Sequence, residues 1–118
     1  MTVFYFIRHG EADWSLADEE GFSGAQRDFV PLTLRGVEQA ETAACDPRLH
    51  SAQLIISSPY TRALQTAAVI NGKLGLPILV EYDLREWIPD VTFGVTSSKQ
   101  VRDLSVDYDK CGGKHPDG

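Results

Sequence analysis

The sequence lacks long hydrophobic runs, a cysteine framework and a secretion signal. No apolar stretch approaches the roughly 20 residues of a membrane-spanning helix, so we expect no membrane partner. The only two cysteines, Cys45 and Cys111, are too few for a disulfide framework and lie outside any CxxC metal motif. The start of the chain has neither a basic segment nor a small-residue cleavage site. These absences predict a soluble, cytoplasmic protein with reduced thiols.

Positive charge is also scarce. The 118 residues include 11 Lys and Arg against 17 Asp and Glu, which gives a formal net charge of −6. Such a chain has no general attraction for nucleic acid, so we expect no nucleic-acid partner. Any anion that it binds must be held by a few local cations. The apolar fraction of 42% is enough for an ordinary core, and the length predicts a single domain over residues 1–118.

Short apolar runs alternate with segments of helical periodicity. Residues 2–7 are β-branched and aromatic, which is typical of a strand buried on both faces. Further strands are predicted at residues 54–56 and 78–80. One helix is predicted to follow the N-cap Thr33, and a second to span about residues 61–74. This order predicts an α/β fold, with three α/β/α layers around a mainly parallel sheet that has three strands in this chain.

The other segments carry weaker patterns. Residues 11–31 show no periodicity and predict a long loop, of the kind that is functional or mobile in compact domains. An apolar stripe over residues 101–108 predicts one more helix, with Ser97 or Ser98 as its cap. The last residues, 111–118, are predicted to form a loop.

Residues suited to phosphate chemistry follow the predicted strands. Arg8 and His9 come directly after the first, and Arg62 lies in the opening turn of the helix after the second. Glu86 follows the third. Because the carboxyl ends of parallel strands meet at one edge of a sheet, we expect these side chains to converge. Two arginines can clamp a phosphoryl group, a histidine can attack phosphorus, and a carboxylic acid can protonate the departing oxygen.

Other polar residues near this edge are assigned structural roles. Ser57 and Ser58 lack a surrounding Gly-x-Ser-x-Gly motif, which favours turn and capping roles over a nucleophile. Glu11 is expected to fix the loop that carries His9, and Arg85 to face solvent or pair with a carboxylate.

Several segments together resemble the histidine phosphatase superfamily, also called the phosphoglycerate mutase-like family. They lie in the right order within residues 3–87. The segments are FIRHGE at 6–11, PLT at 31–33 followed by Gly36, Gln39 and Ala40, SSPYTRALQTA at 57–67, and LRE at 84–86. The Arg-His-Gly motif alone is weak, but its combination with the Ser-Pro-x-x-Arg-Ala-x-Gln-Thr-Ala segment is specific.

The resemblance implies a mechanism in two steps. His9 attacks the phosphoryl group and carries it as phosphohistidine, while Arg8 and Arg62 hold the equatorial oxygens. Glu86 protonates the leaving group and then accepts a proton from water. The arginines supply the positive charge, so neither a metal nor a cofactor is expected. The attacking nitrogen of His9 must be unprotonated, so its other nitrogen should bond to a backbone carbonyl or a similar acceptor.

Two catalytic positions of the family, the acid and the second histidine, are not assigned to a single residue by the sequence. Glu81, Asp83 and Asp90 are alternatives to Glu86 as the acid. The family's second catalytic histidine follows a late strand, and neither His50 nor His115 has that setting. We therefore expect the chain to be the N-terminal portion of a longer protein. A chain ending here would leave a sheet edge unpaired, which favours association between copies.

The sequence thus predicts a phosphatase that acts on a small phosphomonoester or a phosphoprotein. A phosphoglycerate mutase is the alternative within the same family, although residues 13–31 lack the Asn-Arg-Phe-Thr-Gly-Trp-like stretch typical of mutases. The missing second histidine leaves a third hypothesis, a non-catalytic or truncated phosphate-binding module.

Overall fold

The computed structural model describes residues 1–86 and 97–110, with the side chains of 104, 105 and 107–110 left aside. These residues fall into two compact units. The first comprises Met1–Asp13 and Asp28–Arg85. The second comprises Trp14–Arg27 and the residues from Glu86 onward.

The described residues form four α-helices, three 3-10 helices and two strands. In chain order they are α1 (Trp14–Glu19), a 3-10 helix (Gly24–Phe29), α2 (Leu34–Ala44), a 3-10 helix (Pro47–Ser51), β1 (Ile55–Ser57), α3 (Thr61–Leu74), β2 (Ile78–Val80), a 3-10 helix (Tyr82–Leu84) and α4 (Ser98–Lys110). The predicted α/β class is confirmed.

Local signals account for the boundaries of α2 and α3. Thr33 is the N-cap of α2, and its hydroxyl accepts a hydrogen bond of 3.0 Å from the N–H of Gly36, as its position in the sequence predicts. Helix α3 ends at Gly75, whose φ of 64° lies in the left-handed region that glycine tolerates. The predicted helix over residues 61–74 is therefore confirmed.

The sheet is parallel, and α3 packs against it. Ile55 of β1 lies opposite Ile78 of β2, and α3 connects the two strands. The predicted strand at residues 78–80 is confirmed, and the one predicted at 54–56 begins one residue later. Helix α2 packs against α3, which in turn contacts β1. Buried Ala40 and Ile70 contribute to the core between the two helices.

The strand predicted over residues 2–7 is absent from the described part of the chain. There the sheet contains only β1 and β2, so the prediction of a first strand at residues 2–7, and of a sheet with three strands, is wrong. The apolar side chains of this run are largely exposed, and Phe6 reaches 92%. The physical reason is that composition favours an extended backbone, whereas a strand also needs a hydrogen-bonded neighbour.

The long loop predicted over residues 11–31 is more structured than its sequence indicates. It contains α1 and most of the first 3-10 helix, so the prediction of one long loop is wrong. Its ends approach each other, since Ala12 pairs with Leu32 in an isolated antiparallel bridge. Both pieces of secondary structure are only six residues long, which is too short for periodicity to show.

The second unit contains a buried arginine that the sequence did not indicate. Nη1 of Arg27 donates to Oδ1 of Asp18 at 2.9 Å, and Nη2 donates to the hydroxyl of Ser98 at 2.7 Å. Burial raises the pKa of Asp18, but the hydrogen bonds from Arg27 and Ser98 outweigh it, so the net pKa lies below 3.8. These bonds connect α1, the first 3-10 helix (Gly24–Phe29) and the start of α4.

Helix α4 confirms the helix predicted near residues 101–108. The hydroxyl of Ser97 accepts a hydrogen bond of 3.3 Å from the N–H of Gln100, as expected of a cap. The loop predicted over residues 111–118 and Cys111 lie outside the described residues. Among the helices of residues 1–86 and 97–110, none has the length and apolar character needed to cross a bilayer.

Candidate active site

The imidazole of His9 is oriented by its own loop. Nδ1 of His9 lies 2.7 Å from the carbonyl oxygen of Gly10. A carbonyl can only accept a hydrogen bond, so Nδ1 carries a proton. In the neutral ring the lone pair is therefore on Nε2, which makes Nε2 the nucleophilic nitrogen. This contact is the one that the sequence predicted for a histidine nucleophile.

Side chains from two helices hold the backbone of this loop. The N–H of Gly10 donates to the hydroxyl of Thr66 at 3.0 Å, and the N–H of Glu11 donates to Oε1 of Gln39 at 2.8 Å. The predicted structural role of Glu11 is confirmed, because its carboxylate accepts a hydrogen bond of 2.9 Å from the hydroxyl of Thr33. The His9 loop is thus attached to both α2 and α3.

Arg8 and His9 share a cavity of about 220 Å³ within the first unit. Arg8 is exposed, whereas His9 is half-buried. The lining residues come from the His9 loop, α2 and α3, and they are Ile7, Arg8, His9, Gly10, Gln39, Ala40, Ala43 and Thr66. Arg62 is not among them, so the structure groups one of the two predicted phosphate-binding arginines with the histidine in this cavity.

Arg62 is a buried cation in the first turn of α3. The residue is only 3% exposed, and its guanidinium lies 4.4 Å from the ring centroid of Tyr60, within cation–π range. Its Nη1 is 4.0 Å from Oδ1 of Asp28, which is beyond hydrogen-bond distance. A buried guanidinium beside the N-terminus of a helix is suited to binding an anionic ligand.

Three of the four candidate acids, Glu81, Asp83 and Glu86, are described by the structure and are exposed. Glu81 is used as a cap, since its side chain accepts a hydrogen bond of 3.2 Å from the N–H of Asp83. Asp83 is exposed on the 3-10 helix that follows β2. Glu86 is exposed and belongs to the second unit, and Asp90 lies outside the described residues. The assignment of Glu86 as the acid remains a prediction.

Comparison with known proteins decides the family. The sequence profile of the Histidine phosphatase superfamily (branch 1) matches residues 4–117. The chain belongs to this superfamily.

Known proteins that are similar to this histidine phosphatase chain include phosphatases and probable phosphoglycerate mutases. The chain is 36% identical to a protein of Bacillus subtilis named "Uncharacterized phosphatase PhoE", over 73% of this chain and 42% of that protein. It is 32% identical to a "Probable phosphoglycerate mutase GpmB" of Photorhabdus laumondii, over 100% of this chain and 51% of that protein. A mycobacterial glucosyl-3-phosphoglycerate phosphatase in complex with VO3 matches with a TM-score of 0.61 and 28% identity, covering 89% of this chain and 49% of that one.

The chain therefore spans about half the length of the relatives that it matches. Neither His50 nor His115 is placed by the structure as the family's second catalytic histidine. His50 is exposed in the 3-10 helix Pro47–Ser51, and His115 lies outside the described residues. Within residues 1–86 and 97–110, no group of three His, Cys, Asp or Glu side chains is arranged to hold a metal ion.

Two sets of polar residues outside the proposed catalytic set have structural contacts. The hydroxyl of Ser57 donates to the carbonyl of Ser58 at 2.9 Å, and the hydroxyl of Ser58 accepts from the N–H of Tyr60 at 3.3 Å, which confirms their turn role. Arg85 is exposed, which confirms the first of its two predicted settings, and its Nη1 donates a hydrogen bond of 2.6 Å to the hydroxyl of Tyr82.

The sequence did not assign roles to the polar residues that hold the site loops. Gln39 and Thr66 fix the His9 loop, and Gln65 accepts a hydrogen bond of 2.7 Å from the N–H of Leu32, just before α2. All three belong to the segments that carry the family resemblance. The available signal was the place of these three polar residues within the motif segments themselves.

Proposed function

We propose that this chain forms the nucleophile-bearing part of a phosphatase that hydrolyses phosphomonoesters through a phosphohistidine on His9. The observation that carries the proposal is the contact of His9 Nδ1 with the carbonyl of Gly10 at 2.7 Å. It assigns the lone pair of the neutral ring to Nε2, the nitrogen that would attack phosphorus, and it restrains the orientation of the ring. The substrate class is a small phosphorylated metabolite or a phosphoprotein.

In the first step, the lone pair of Nε2 forms a bond to phosphorus. The bond from phosphorus to the ester oxygen breaks, and its electron pair stays on that oxygen, which takes a proton from Glu86. Arg8 and Arg62 interact with the equatorial oxygens, where negative charge is concentrated in the transition state. The low exposure of Arg62 strengthens this interaction, because water screens a buried cation less.

In the second step, water attacks the phosphorus of the phosphohistidine. Glu86, now a carboxylate, accepts the proton from water, and the bond from phosphorus to Nε2 breaks with its electron pair returning to the ring. Inorganic phosphate leaves, and both His9 and Glu86 regain their starting protonation. Every proton and electron pair is thereby accounted for without a metal or a redox cofactor.

Support for hydrolysis comes from the relatives. A 36% identical relative is named a phosphatase, and a matched solved structure is a glucosyl-3-phosphoglycerate phosphatase. We place the activity in the cytoplasm, where the free thiol of Cys45 would stay reduced.

A phosphoglycerate mutase is the second candidate. The observation in its favour is the 32% identity to a probable phosphoglycerate mutase, aligned along the whole of this chain. A mutase returns the phosphoryl group from His9 to a second hydroxyl of the substrate, whereas a phosphatase gives it to water. Incubation with 3-phosphoglycerate separates the two, because a mutase accumulates 2-phosphoglycerate and a phosphatase accumulates inorganic phosphate.

The test of the proposed function is trapping of the intermediate. The purified protein is mixed with p-nitrophenyl phosphate, quenched rapidly in base and digested, and the phosphopeptides are identified by mass spectrometry. We expect an acid-labile, base-stable phosphate on His9 and a matching burst of p-nitrophenol. Vanadate should suppress the burst, as a five-coordinate analogue of the transition state.

The control variants are His9→Gln, which removes the nucleophile, and His50→Gln, which removes an exposed histidine outside the cavity. Labelling should disappear in the first and persist in the second. A wild-type protein that binds vanadate but shows neither label nor burst would instead be a non-catalytic phosphate-binding module, and the proposed function would be wrong.

A further inference from the structure

The hydroxyl of Thr66 connects the loop that carries His9 with the helical turn that carries Arg62. Its oxygen accepts a hydrogen bond of 3.0 Å from the N–H of Gly10 and donates one of 2.7 Å to the carbonyl of Arg62. A hydroxyl has one proton and two lone pairs, so it can make both bonds at once. Thr66 is only 5% exposed, and water therefore competes little with either bond.

The bond to Gly10 restrains the backbone next to the imidazole. The N–H of Gly10 belongs to the peptide group that joins it to His9, and the carbonyl of Gly10 accepts the hydrogen bond from His9 Nδ1. The following peptide group is held by Gln39, which accepts from the N–H of Glu11. Both peptide groups that flank Gly10 are thus fixed from outside the loop, and the ring of His9 depends on their orientation.

The second bond of the Thr66 hydroxyl is to the backbone carbonyl of Arg62, in the first turn of α3. Thr66 lies one helical turn after Arg62 in α3, and its hydroxyl bonds to the carbonyl four residues earlier. A threonine at this position can make that bond with no tertiary partner. The additional acceptor bond from Gly10, 56 positions away in sequence, is what makes this hydroxyl a link between two segments.

We propose that Thr66 is a positioning residue for phosphoryl transfer, which sets the imidazole of His9 relative to the first turn of α3. This inference rests on the proposed function, in which both segments act on one phosphoryl group. Loss of the hydroxyl would leave the buried N–H of Gly10 without its acceptor and allow the peptide next to His9 to rotate. Misplacement of a nucleophile by about 1 Å lowers a rate by about 100-fold.

The experiment compares three substitutions. Thr66→Val retains the branched shape and removes the hydroxyl, whereas Thr66→Ser retains the hydroxyl and removes a methyl group. Thr42→Val is the matched control on α2, because the hydroxyl of Thr42 makes the same bond to the carbonyl four residues earlier, to Glu38 at 2.9 Å, on an exposed surface. Circular dichroism and thermal unfolding establish that each variant is folded at the assay temperature.

Two readouts separate positioning from stability. The first is the rate at which His9 is phosphorylated by p-nitrophenyl phosphate, which should fall by about 100-fold in Thr66→Val, with KM nearly unchanged, and by less than about threefold in the other two. The second is the ¹⁵N and ¹H resonances of the His9 ring, assigned with His9→Gln. They should move in Thr66→Val and stay at the wild-type positions in Thr66→Ser and Thr42→Val.

The outcomes are distinguishable from those of the proposed function. If the wild-type protein is not phosphorylated, the proposed function is wrong, and the ring resonances alone decide whether Thr66 positions His9. Wild-type ring resonances in Thr66→Val would overturn the inference. So would a Thr66→Ser variant that loses as much rate as Thr66→Val, because packing and not the hydroxyl would then be responsible. If Thr66→Val does not fold, rescue by Thr66→Ser with wild-type ring resonances supports the inference, and displaced resonances in that variant overturn it.

Discussion

The backbones of Gly10 and Gly36 are in direct contact. A Cβ on Gly10 would lie 2.3 Å from the carbonyl oxygen of Gly36, and a Cβ on Gly36 would lie 2.3 Å from the carbonyl oxygen of Glu11. Side chains do not approach backbone atoms this closely, so both positions require glycine. The contact brings the loop that carries His9 against the first turn of α2, where Gly36 donates its N–H to the cap Thr33.

Substitution of Gly36 by alanine should destabilise the protein. The added methyl group would force two backbone segments apart, and such overpacking costs about 1–3 kcal/mol. The control is Gly72→Ala in α3, where a Cβ meets no atom within 4 Å. Alanine there should instead stabilise by about 0.5–1 kcal/mol through helix propensity. Urea denaturation measures both values, and equal effects of the two substitutions would contradict the close contact.

Substitutions in the exposed apolar run at residues 2–7 should have little effect on the free energy of unfolding. Phe6 is 92% exposed, so Phe6→Ala should change the free energy of unfolding by less than about 0.5 kcal/mol. Ile70 is 5% exposed in the core between α2 and α3, and Ile70→Ala should cost about 2–5 kcal/mol. Chemical denaturation of the two variants tests this difference. A loss at Phe6 that matched the loss at Ile70 would place the run inside a core.

Removal of the buried cation should weaken anion binding. In the proposed function Arg62 holds a phosphoryl oxygen, and loss of such a charge-assisted contact costs about 1.5–3 kcal/mol. In Arg62→Ala the dissociation constant for vanadate should therefore rise by about 10- to 150-fold. Arg62→Lys keeps the charge but loses the planar guanidinium, so its dissociation constant for vanadate should lie between those of Arg62→Ala and the wild type. Isothermal titration calorimetry gives the affinities. Arg48→Ala removes an exposed arginine and should have no effect, and an equal loss there would indicate a general charge effect.

Acid should remove the contribution of Asp46 to stability. The hydrogen bonds from the side chain and backbone N–H of Arg48 lower the pKa of Asp46 to about 2, from the ordinary value of 3.8. A folded-state pKa below the unfolded value gives stability that is present above about pH 3.8 and is lost as the pH falls towards 2. Asp46→Asn should therefore be less stable than the wild type near neutral pH, and the difference should shrink on acidification.

Urea midpoints measured from about pH 6 down to the acid limit of folding provide the check. Arg48→Met is the informative control, since it removes the guanidinium but retains the backbone N–H that donates to Asp46 at 3.0 Å. It should retain part of the pH dependence. A constant difference between the wild type and Asp46→Asn across this range would show that the pKa of Asp46 is not lowered in the folded protein.

Local signals made several elements predictable. The helix over residues 61–74 was predicted with its observed bounds, because its start follows a turn and its end needs a left-handed residue that Gly75 supplies. Thr33 marked the start of α2 for a similar reason, since its hydroxyl can cap the helix without help from distant residues. Elements whose stability is largely local are therefore within reach of sequence patterns.

The errors concern features that depend on neighbours. Residues 2–7 have the composition of a buried strand, but composition does not supply the adjacent strand that would pair with them. The segment over residues 11–31 was predicted as a loop because α1 is too short to show a period. The bonds of Arg27 with Asp18 and Ser98 could not be predicted either, since Ser98 is 71 positions away in sequence.

The amino-acid order by itself determined which residues can do chemistry and which family the chain belongs to, because reactive groups and motif spacing are covalent properties. It also implied that one ring nitrogen of His9 should donate to a backbone carbonyl or a similar acceptor, because that bond keeps the lone pair on the other nitrogen. Only the tertiary structure decided that Thr66 is the acceptor for Gly10 and that Gly36 must have no side chain. Contacts between distant segments depend on how the helices pack, and no local pattern specifies that packing.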